Sequence, residues 1–206
     1  MKKKTDKRTI TREIFGWVLT FVAAVAIAIP VRTFAFELVR VEGSSMNKTL
    51  SDGEVMFVNK IDYSTAWLSF PWQSEEEKES ASRIVTGGNP KRFDVIICRY
   101  PGRGDTNFVK RVVGLPGDTV EIRDGTLYIN NEEYDEPYVA EEFRTNGYSN
   151  GKTFGPYTVP DGEYFVMGDH RNNSNDSRAQ GTITRDMIIG HVISVVYPFG
   201  DGRKIE

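Results

Sequence analysis

The pattern of apolar and polar residues changes once along this chain, near residue 37. Before that point, residues 14–29 form an almost uninterrupted apolar run, which continues through Pro30 to Phe36 and carries one charge, Arg32. After it, short stretches of alternating apolar and polar residues are separated by turns rich in Gly, Asn and Asp. Alternation of this kind predicts strands. We therefore expect a mainly β fold: one apolar helix followed by a β-rich domain.

The apolar run predicts a transmembrane anchor. Its uncharged part spans roughly 16 to 18 residues, slightly fewer than the ~20 that cross a bilayer core, and Trp17 and Arg32 suit the two interfaces. Basic residues outnumber acidic ones before the run, which predicts a cytoplasmic N-terminus and an external domain. A cleaved signal peptide is the main alternative, but the small-x-small patterns at 24–26 and 26–28 lie inside the apolar run. A buried core helix is disfavoured by the flanking charge.

These patterns divide the chain into a cytoplasmic tail at residues 1–13, a single-pass anchor at 14–36 and an extracytoplasmic domain at 37–206. Residues 73–92 are polar and predict a solvated insertion. Residues 119–165 contain short strands with tight turns and predict a smaller β subdomain. Aromatic residues are concentrated at 63–72, where they suit either a membrane interface or a small core beneath a loop.

Composition excludes several classes of protein. The chain has 206 residues, with 26 basic and 29 acidic ones and a net charge of -3, so it lacks the basic character of a nucleic-acid-binding protein. The single cysteine, Cys98, excludes an intrachain disulfide, and its apolar neighbours predict a buried, inert thiol. With two histidines and no Cys/His cluster, we predict neither a metal site nor a cofactor.

The first candidate for chemistry is Ser45, in the stretch Glu-Gly-Ser-Ser-Met-Asn-Lys-Thr-Leu at residues 42–50. A serine hydroxyl becomes a nucleophile only when a neighbouring base removes its proton. Gly43 allows an unusual backbone angle, and the backbone N–H of Ser45 is a candidate oxyanion donor. The alternative is an ordinary turn, because Gly-Ser-Ser is common in turns.

The candidate base is Lys110, in the predicted strand at residues 106–118. Alternation places Phe108, Lys110 and Val112 on one face, and Arg111 on the other face between apolar residues. Burial of a lysine lowers its pKa and yields a neutral amine, whereas arginine stays protonated. Lys110 is therefore the candidate and Arg111 is not. The alternative is that both cations protect an edge strand from aggregation.

A third polar stretch follows the predicted strand at residues 164–167. Residues 168–178 are dense in hydrogen-bonding groups, which are typical either of a solvated loop or of a network that fixes geometry. Three separated stretches, at 43–50, 110–118 and 168–178, resemble the motifs of bacterial type I signal peptidases. Their order and the preceding anchor agree with that family as well. The resemblance implies a membrane-bound serine protease with a Ser/Lys dyad.

The resemblance also implies roles for individual residues. Ser45 would attack the scissile carbonyl, Lys110 would take its proton, and Ser174 would hydrogen-bond the lysine amine and orient it. The oxyanion would be bound by Ser45 N–H, with only a backbone N–H available at Gly43, where some members carry a hydroxyl. The supporting residues would be Gly168, Asp169, Asp176 and Arg178. Shallow apolar pockets that accept alanine are predicted at Val39, Val41, Met46, Leu50, Phe108 and Val109.

Three positions depart from the family pattern. Lys48 replaces the usual Pro, and the loss of a fixed φ is expected to loosen the turn after the nucleophile. His170 replaces the usual Asn. It is a second candidate base, disfavoured because lysine already fills that role. Asn172 replaces a frequent Asp, where change is expected to be tolerated.

The predicted function is removal of signal peptides from exported preproteins at a small-x-small site. Predicted partners are those signal peptides and the lipid bilayer, with the protein translocation machinery as a further candidate, and no nucleic acid. Three alternatives stay open: a self-cleaving repressor, which would lack the anchor, an anchored β domain that binds a partner through structural serines, and a peptidase specialised for one substrate such as a pilin.

Overall fold

The computed structural model describes residues 7–67, 74, 83–100, 102–103, 106–144 and 153–205. In this part of the chain one long N-terminal helix is followed by strands that pair in antiparallel fashion throughout. The mainly β fold with one apolar helix is therefore confirmed. The helices are α1 (Lys7–Phe34) and the short α2 (Ser177–Gln180), with 3₁₀ turns at Glu141–Phe143, Arg171–Asn173 and Arg185–Met187. The strands are β1 (Phe36–Arg40), β2 (Val55–Asn59), β3 (Tyr63–Trp67), β4 (Arg83–Gly87), β5 (Val95–Cys98), β6 (Phe108–Gly114), β7 (Thr119–Arg123), β8 (Thr126–Ile129), β9 (Glu132–Tyr134), β10 (Phe154–Thr158), β11 (Glu163–Met167), β12 (Ile183–Thr184), β13 (Ile188–Tyr197) and β14 (Arg203–Lys204).

Helix α1 exposes its apolar side chains on every side. Its stretch Arg12–Arg32 has a mean hydropathy of 2.4 and is 0% buried against the rest of the protein. By length and composition it can cross a membrane. A helix that is apolar all round and covered by no other part of the protein is typical of a segment surrounded by lipid.

The main sheet has the strand order β1-β2-β13-β5-β6-β11-β12, with β14 on β13, in the described part of the chain. Strand β6, which carries Lys110, is therefore an interior strand between β5 and β11. This excludes the interpretation of Lys110 and Arg111 as edge-strand cations. Among the described strands, β1 pairs with β2 alone, and it leads directly into the turn that carries Ser45.

Three apolar clusters pack against the sheets. One includes Met46, Leu50 and Met56, and so buries the turn after Ser45. The second packs Ile96, Cys98 and Val112 together, and burial raises the pKa of Cys98 to about 12, consistent with the predicted inert thiol. The third joins β11 to a four-stranded sheet of order β10-β7-β8-β9, through residues such as Val120, Leu127 and Phe165. The four-stranded sheet falls within the predicted subdomain at 119–165.

In the region before β5 the structure corrects one expectation and, at Tyr63, decides between two interpretations. Residues 83–87, inside the predicted solvated insertion at 73–92, form strand β4 and pair with β3. Tyr63, which starts the aromatic stretch, is only 4% exposed and packs in the second apolar cluster, so it is a core residue. Residues 68–73 and 75–82, which belong to these two stretches, lie outside the described residues.

Candidate active site

Ser45 lies in a tight turn between β1 and β2. Gly43 has φ +90°, a value that L-residues with a side chain rarely adopt, and its N–H donates to Asp52 Oδ1 at 2.8 Å. The backbone N–H of Gly43 is thus already engaged, which argues against its predicted part in an oxyanion site. Ser45 N–H has no partner among the described residues and stays available for that part.

The carbonyl group of Ser45 is held by residues 168–178, which we call the last polar stretch. His170 N–H donates to Ser45 O at 3.1 Å, and Asn173 Nδ2 donates to Ser44 Oγ at 2.8 Å. The His170 ring stacks on Phe143, and its Nδ1 lies 3.1 Å from Ser44 O. Since Nδ1 must carry a proton to bond a carbonyl, this ring is a structural donor and has no contact with the Ser45 hydroxyl.

The amine of Lys110 meets the Ser45 hydroxyl. Lys110 Nζ lies 2.9 Å from Ser45 Oγ and 3.0 Å from Val109 O, and the lysine is only 2% exposed. Burial lowers the pKa of this amine below its ordinary value, although the electrostatic interactions with Cys98 and Asp176 oppose the shift. A buried amine with a lowered pKa, at hydrogen-bond distance from an alcohol, can accept that alcohol's proton.

Arg111, on the other face of β6, has the opposite environment. Its Nε and Nη2 donate to the two carboxylate oxygens of Asp169 at 3.0 and 2.9 Å, and Thr49 Oγ1 donates to the same carboxylate. The guanidinium is therefore neutralised by a buried carboxylate. No salt bridge to Lys110 occurs among the described residues. The two adjacent basic residues thus differ in their surroundings: Arg111 is bound to the carboxylate of Asp169, whereas the amine of Lys110 lies beside the Ser45 hydroxyl.

The last polar stretch is an ordered network. Both carboxylate oxygens of Asp176 accept hydrogen bonds from the Arg178 guanidinium at 2.9 Å, and Gly168 N–H donates to Asp176 at 3.0 Å. Burial alone raises the pKa of Asp176, but the hydrogen bonds from Arg178 outweigh it and hold the pKa below its ordinary value. The predicted supporting pair is thus formed and buried.

Ser174 lies close to Ser45 but does not make its predicted contact. A Cβ placed on Gly168 would be 2.2 Å from Ser174 Oγ and 2.5 Å from Ser45 O, so the three residues are packed together. The Ser174 hydroxyl is buried and has no hydrogen-bond partner of ordinary geometry in the described part of the chain. The hydrogen bond to Lys110 that the family resemblance implies is therefore not formed in this structure, and the orienting role stays a prediction.

A cleft of about 320 Å³ opens onto Ser45 and Lys110. Of the predicted pocket residues, Leu50 does not line it, because it is 0% exposed and belongs to the core. Sequence analysis missed several lining residues, because strand pairing brings them to the cleft: Ile97 is paired with Val109, and Met56 with Val39. The predicted residues that do line the cleft are Val39, Val41, Met46, Phe108 and Val109, and the missed ones are Arg40, Glu42, Met56, Ile97, Thr106 and Asn107.

The residue that replaces the usual Pro has an unexpected conformation. Lys48 has φ +83°, which proline, with φ fixed near −65°, cannot adopt. Its Nζ donates to Pro137 O at 2.5 Å and to Val139 O at 3.3 Å. The turn after Ser45 is therefore tied to a distant segment, which differs from the loosened turn expected from the sequence. Among the described residues there is no group of three or more His, Cys, Asp or Glu side chains that could hold a metal ion.

A β-rich domain with a serine alcohol and a buried lysine amine at one cleft has the features of a serine hydrolase. The family model described as signal peptidase, peptidase S26, matches residues 14–197. The chain therefore belongs to the signal peptidase family, peptidase S26, and is a serine endopeptidase.

Curated relatives agree with this assignment. A signal peptidase I of Bacillus licheniformis is 39% identical over 209 residues, which cover 100% of this chain and 98% of the relative. Signal peptidase I T of Bacillus subtilis strain 168 is 40% identical and covers 99% and 95% of the two chains. A crystal structure of a signal peptidase I from Enterococcus faecalis V583 is 39% identical, with a TM-score of 0.42, and covers 50% of this chain and 97% of that one.

Proposed function

We propose that this peptidase removes signal peptides from exported preproteins, with Ser45 as nucleophile and neutral Lys110 as general base. The observation that supports this most directly is the 2.9 Å separation of Ser45 Oγ from the buried Nζ of Lys110. Burial lowers the pKa of the amine and so favours its neutral form, and a hydroxyl at this distance can give it a proton.

The proposed reaction has two halves. Ser45 Oγ transfers its proton to Lys110 Nζ as it attacks the scissile carbonyl, and Ser45 N–H stabilises the oxyanion. The Lys110 ammonium then protonates the departing amine, which leaves an acyl-enzyme on Ser45. In the second half Lys110 takes a proton from water, the hydroxide attacks the ester, and the proton returns to Ser45 Oγ.

The cleft supports a small-x-small substrate. Its apolar walls are built from Val39, Val41, Phe108 and Ile97, which leave shallow space beside Ser45 and suit alanine better than a large side chain. Relatives carry the name signal peptidase I, so signal peptides are the substrate class that we assign to this cleft. Whether the enzyme is general or specialised for one preprotein is a separate question, for which its activity on several preproteins is the test.

We further propose that α1 spans the cytoplasmic membrane once, with the N-terminus inside and the catalytic domain outside. Its apolar stretch Arg12–Arg32 is long enough to cross and is covered by no other part of the protein. The basic residues before it favour the cytoplasmic side. The active site would then lie next to the bilayer, beside the bond that it cuts.

The proposal is tested by cleavage of a preprotein with detergent-solubilised protein. Ser45→Ala, Lys110→Ala and Lys110→Arg are each expected to abolish cleavage, because they remove the nucleophile or replace the neutral amine by a permanently charged group. Lys204→Arg, on an exposed lysine of β14, is the matched control and is expected to keep full activity. Full activity of the Lys110→Arg protein would contradict the neutral-amine mechanism, and cleavage by the Ser45→Ala protein would contradict the nucleophile.

A further inference from the structure

The four residues from Glu136 to Val139, which follow strand β9, form a turn that we name the 136–139 turn. Val139 N–H donates to Glu136 O at 3.0 Å, and both residues are almost completely buried. The turn lies far from Ser45 and Lys110 in sequence, and none of its residues lines the catalytic cleft. Nevertheless it contacts a cationic side chain from each of the three stretches that build the active site.

The first contact is with residues 43–50, which carry Ser45 and which we call the nucleophile stretch. Lys48, three residues after Ser45, donates from Nζ to Pro137 O and to Val139 O. Two carbonyl oxygens of this turn thus accept hydrogen bonds from the same ammonium group, which binds the turn to the stretch that carries Ser45. The left-handed backbone of Lys48, with φ +83°, directs the side chain away from the cleft and toward this turn.

The second contact is with strand β6, which carries Lys110 and which we call the base strand. The Arg111 guanidinium carbon lies 3.8 Å from the centre of the Tyr138 ring, a cation–π stacking distance. Arg111 directly follows Lys110, so its position fixes the strand that carries the base. The same guanidinium donates to Phe93 O at 2.8 Å and to Asp169, so it connects the 136–139 turn to both of these residues.

The third contact is with the last polar stretch. Arg171 forms a buried two-point ion pair with Glu136, with Nη1 2.9 Å from Oε2, and Tyr138 OH donates to Glu136 Oε1 at 3.1 Å. Arg171 Nε also donates to Gly168 O at 3.1 Å. Gly168 packs between Ser174 and the Ser45 carbonyl, so this ion pair supports the wall behind the nucleophile.

We propose that the 136–139 turn is a positioning element of the peptidase, which holds the nucleophile stretch, the base strand and the last polar stretch in their reactive arrangement through Lys48, Arg111 and Arg171. This inference rests on the proposed Ser45/Lys110 mechanism. Buried ion pairs add little net stability, because desolvation opposes the attraction, so a positional role explains the Glu136–Arg171 pair better than a stabilising one. Glu136, Tyr138 and Lys48 touch no substrate and act only through the residues that they hold.

The sharpest test uses Lys48, because it is exposed and its replacement leaves the core intact. Lys48→Met keeps an unbranched side chain of similar size but removes the ammonium group and its hydrogen bonds, and Lys204→Met is the matched control on an exposed lysine. We expect kcat to fall between about tenfold and a hundredfold with little change in KM, as for the loss of other supporting contacts. Lys48→Arg, which can still donate to both carbonyl oxygens, is expected to recover most of kcat.

The pH profile separates positioning from general damage. When the nucleophile stretch moves, water reaches Lys110 Nζ and its pKa rises toward the ordinary value. The acidic limb of kcat/KM then shifts to higher pH in Lys48→Met, because the neutral amine forms only at higher pH. A folded Lys48→Met protein with wild-type kcat and an unshifted acidic limb would overturn the proposal.

Glu136 is tested in the same way, with an exposed carboxylate as control. Glu136→Gln leaves Arg171 without its charge partner, whereas Glu132→Gln changes the same group at an exposed position four residues earlier. If one turn holds both stretches, the combined Lys48→Met and Glu136→Gln variant loses less activity than the product of the two single losses. Losses that multiply independently, with no shift of the acidic limb, would assign both residues a merely structural role and overturn the proposal.

Failure of this inference is distinct from failure of the proposed function. Cleavage by wild-type protein, and its loss in Ser45→Ala, establish the mechanism before the turn is tested. If wild-type protein does not cleave a preprotein, the proposed function fails. If it cleaves and the Lys48 and Glu136 variants behave like their controls, only the positioning role fails. Thermal unfolding monitored by circular dichroism shows whether a variant has lost its fold. If the buried Glu136→Gln variant does not fold, the positioning role is tested by Lys48→Met alone.

Discussion

At the scale of single residues, neighbouring cations on β6 have opposite roles. Arg111 is paired with Asp169, whereas the amine of Lys110 is buried beside a neutral hydroxyl. Identical burial therefore has different consequences. Ionised Arg111 is compensated by a carboxylate, but a proton on Lys110 is disfavoured by the surroundings, which lowers its pKa.

This difference predicts opposite changes in stability. The pKa of Lys110 is lower in the folded protein than in the unfolded chain, so folding releases protons and the free energy of unfolding rises with pH up to about 10.4. Lys110→Met removes that cost and is expected to raise the free energy of unfolding at pH 7, by about 1.4 kcal/mol for each unit of the pKa shift. Arg111→Met is expected to lower it, because Asp169 loses its partner. Urea unfolding at pH 7 and pH 9 measures both, and a destabilised Lys110→Met protein would contradict the prediction.

At Gly168 a single added carbon atom, the Cβ of an alanine, is expected to disturb the active site. A Cβ there would overlap Ser174 Oγ at 2.2 Å and Ser45 O at 2.5 Å. Gly168→Ala is therefore expected to displace the nucleophile and to lower kcat/KM by about a hundredfold or more. At Gly202 the nearest atom would be 3.5 Å away, so Gly202→Ala is the matched control. Assays on a signal-peptide substrate compare the two, and equal activity would show that the packing around Gly168 is softer than the distances imply.

At the scale of secondary-structure elements, the cleft depends on the pairing of β1 with β2 and of β5 with β6. Val39 of β1 lies on its wall and faces the space beside Ser45. Val39→Phe is expected to fill part of the cleft and to lower kcat/KM for an alanine-containing site by about tenfold, mainly through KM. Val85→Phe, on an exposed valine of β4, makes the same change elsewhere. The prediction fails if both variants keep wild-type KM.

Local patterns in the sequence predicted most elements, and the pairing between them explains the rest. Alternation identified β6, and burial of one of its two cations followed from the apolar residues around both. The partner strands of β6 could not be read from alternation, because it shows which faces are apolar and not which strands meet. Ile97 and Met56 were missed at the cleft for that reason. Glu136 and Arg171 were missed because a single buried carboxylate leaves no local pattern.

Two individual positions have equally local explanations. Of the two interpretations of the aromatic stretch, Tyr63 fits the core, because its ring packs there and its hydroxyl donates to Asp94 Oδ2 at 3.0 Å. Leu50 was placed in a substrate pocket because it is close to Ser45 in sequence. The helical turn that follows Ser45 directs Leu50 into the core, with its N–H donating to Met46 O.

At the scale of the whole molecule, α1 stands apart from the β-rich domain. Its stretch Arg12–Arg32 is 0% buried by the rest of the protein, and its contact with the domain through Arg32 and Glu37 lies at its C-terminal end, so changes in the middle of the helix should leave the catalytic cleft intact. Introducing Val22→Asp together with Ala26→Asp is expected to release the protein from membranes, because each charge costs about 3 kcal/mol at the centre of a bilayer. Cleavage of a soluble peptide should persist. Extraction of membranes at alkaline pH measures release, with Val22→Leu and Ala26→Leu as control.

The direct passage from α1 to β1 has one further consequence. Helix α1 ends at Phe34, and Ser45 follows eleven residues later, so at most about 40 Å of extended chain separates it from the lipid-facing segment. If α1 spans the bilayer as proposed, this short connecting segment keeps the active site within a thin layer above the membrane. Encounter with a preprotein then becomes a search in two dimensions, governed by lateral diffusion and by how much enzyme each membrane area contains.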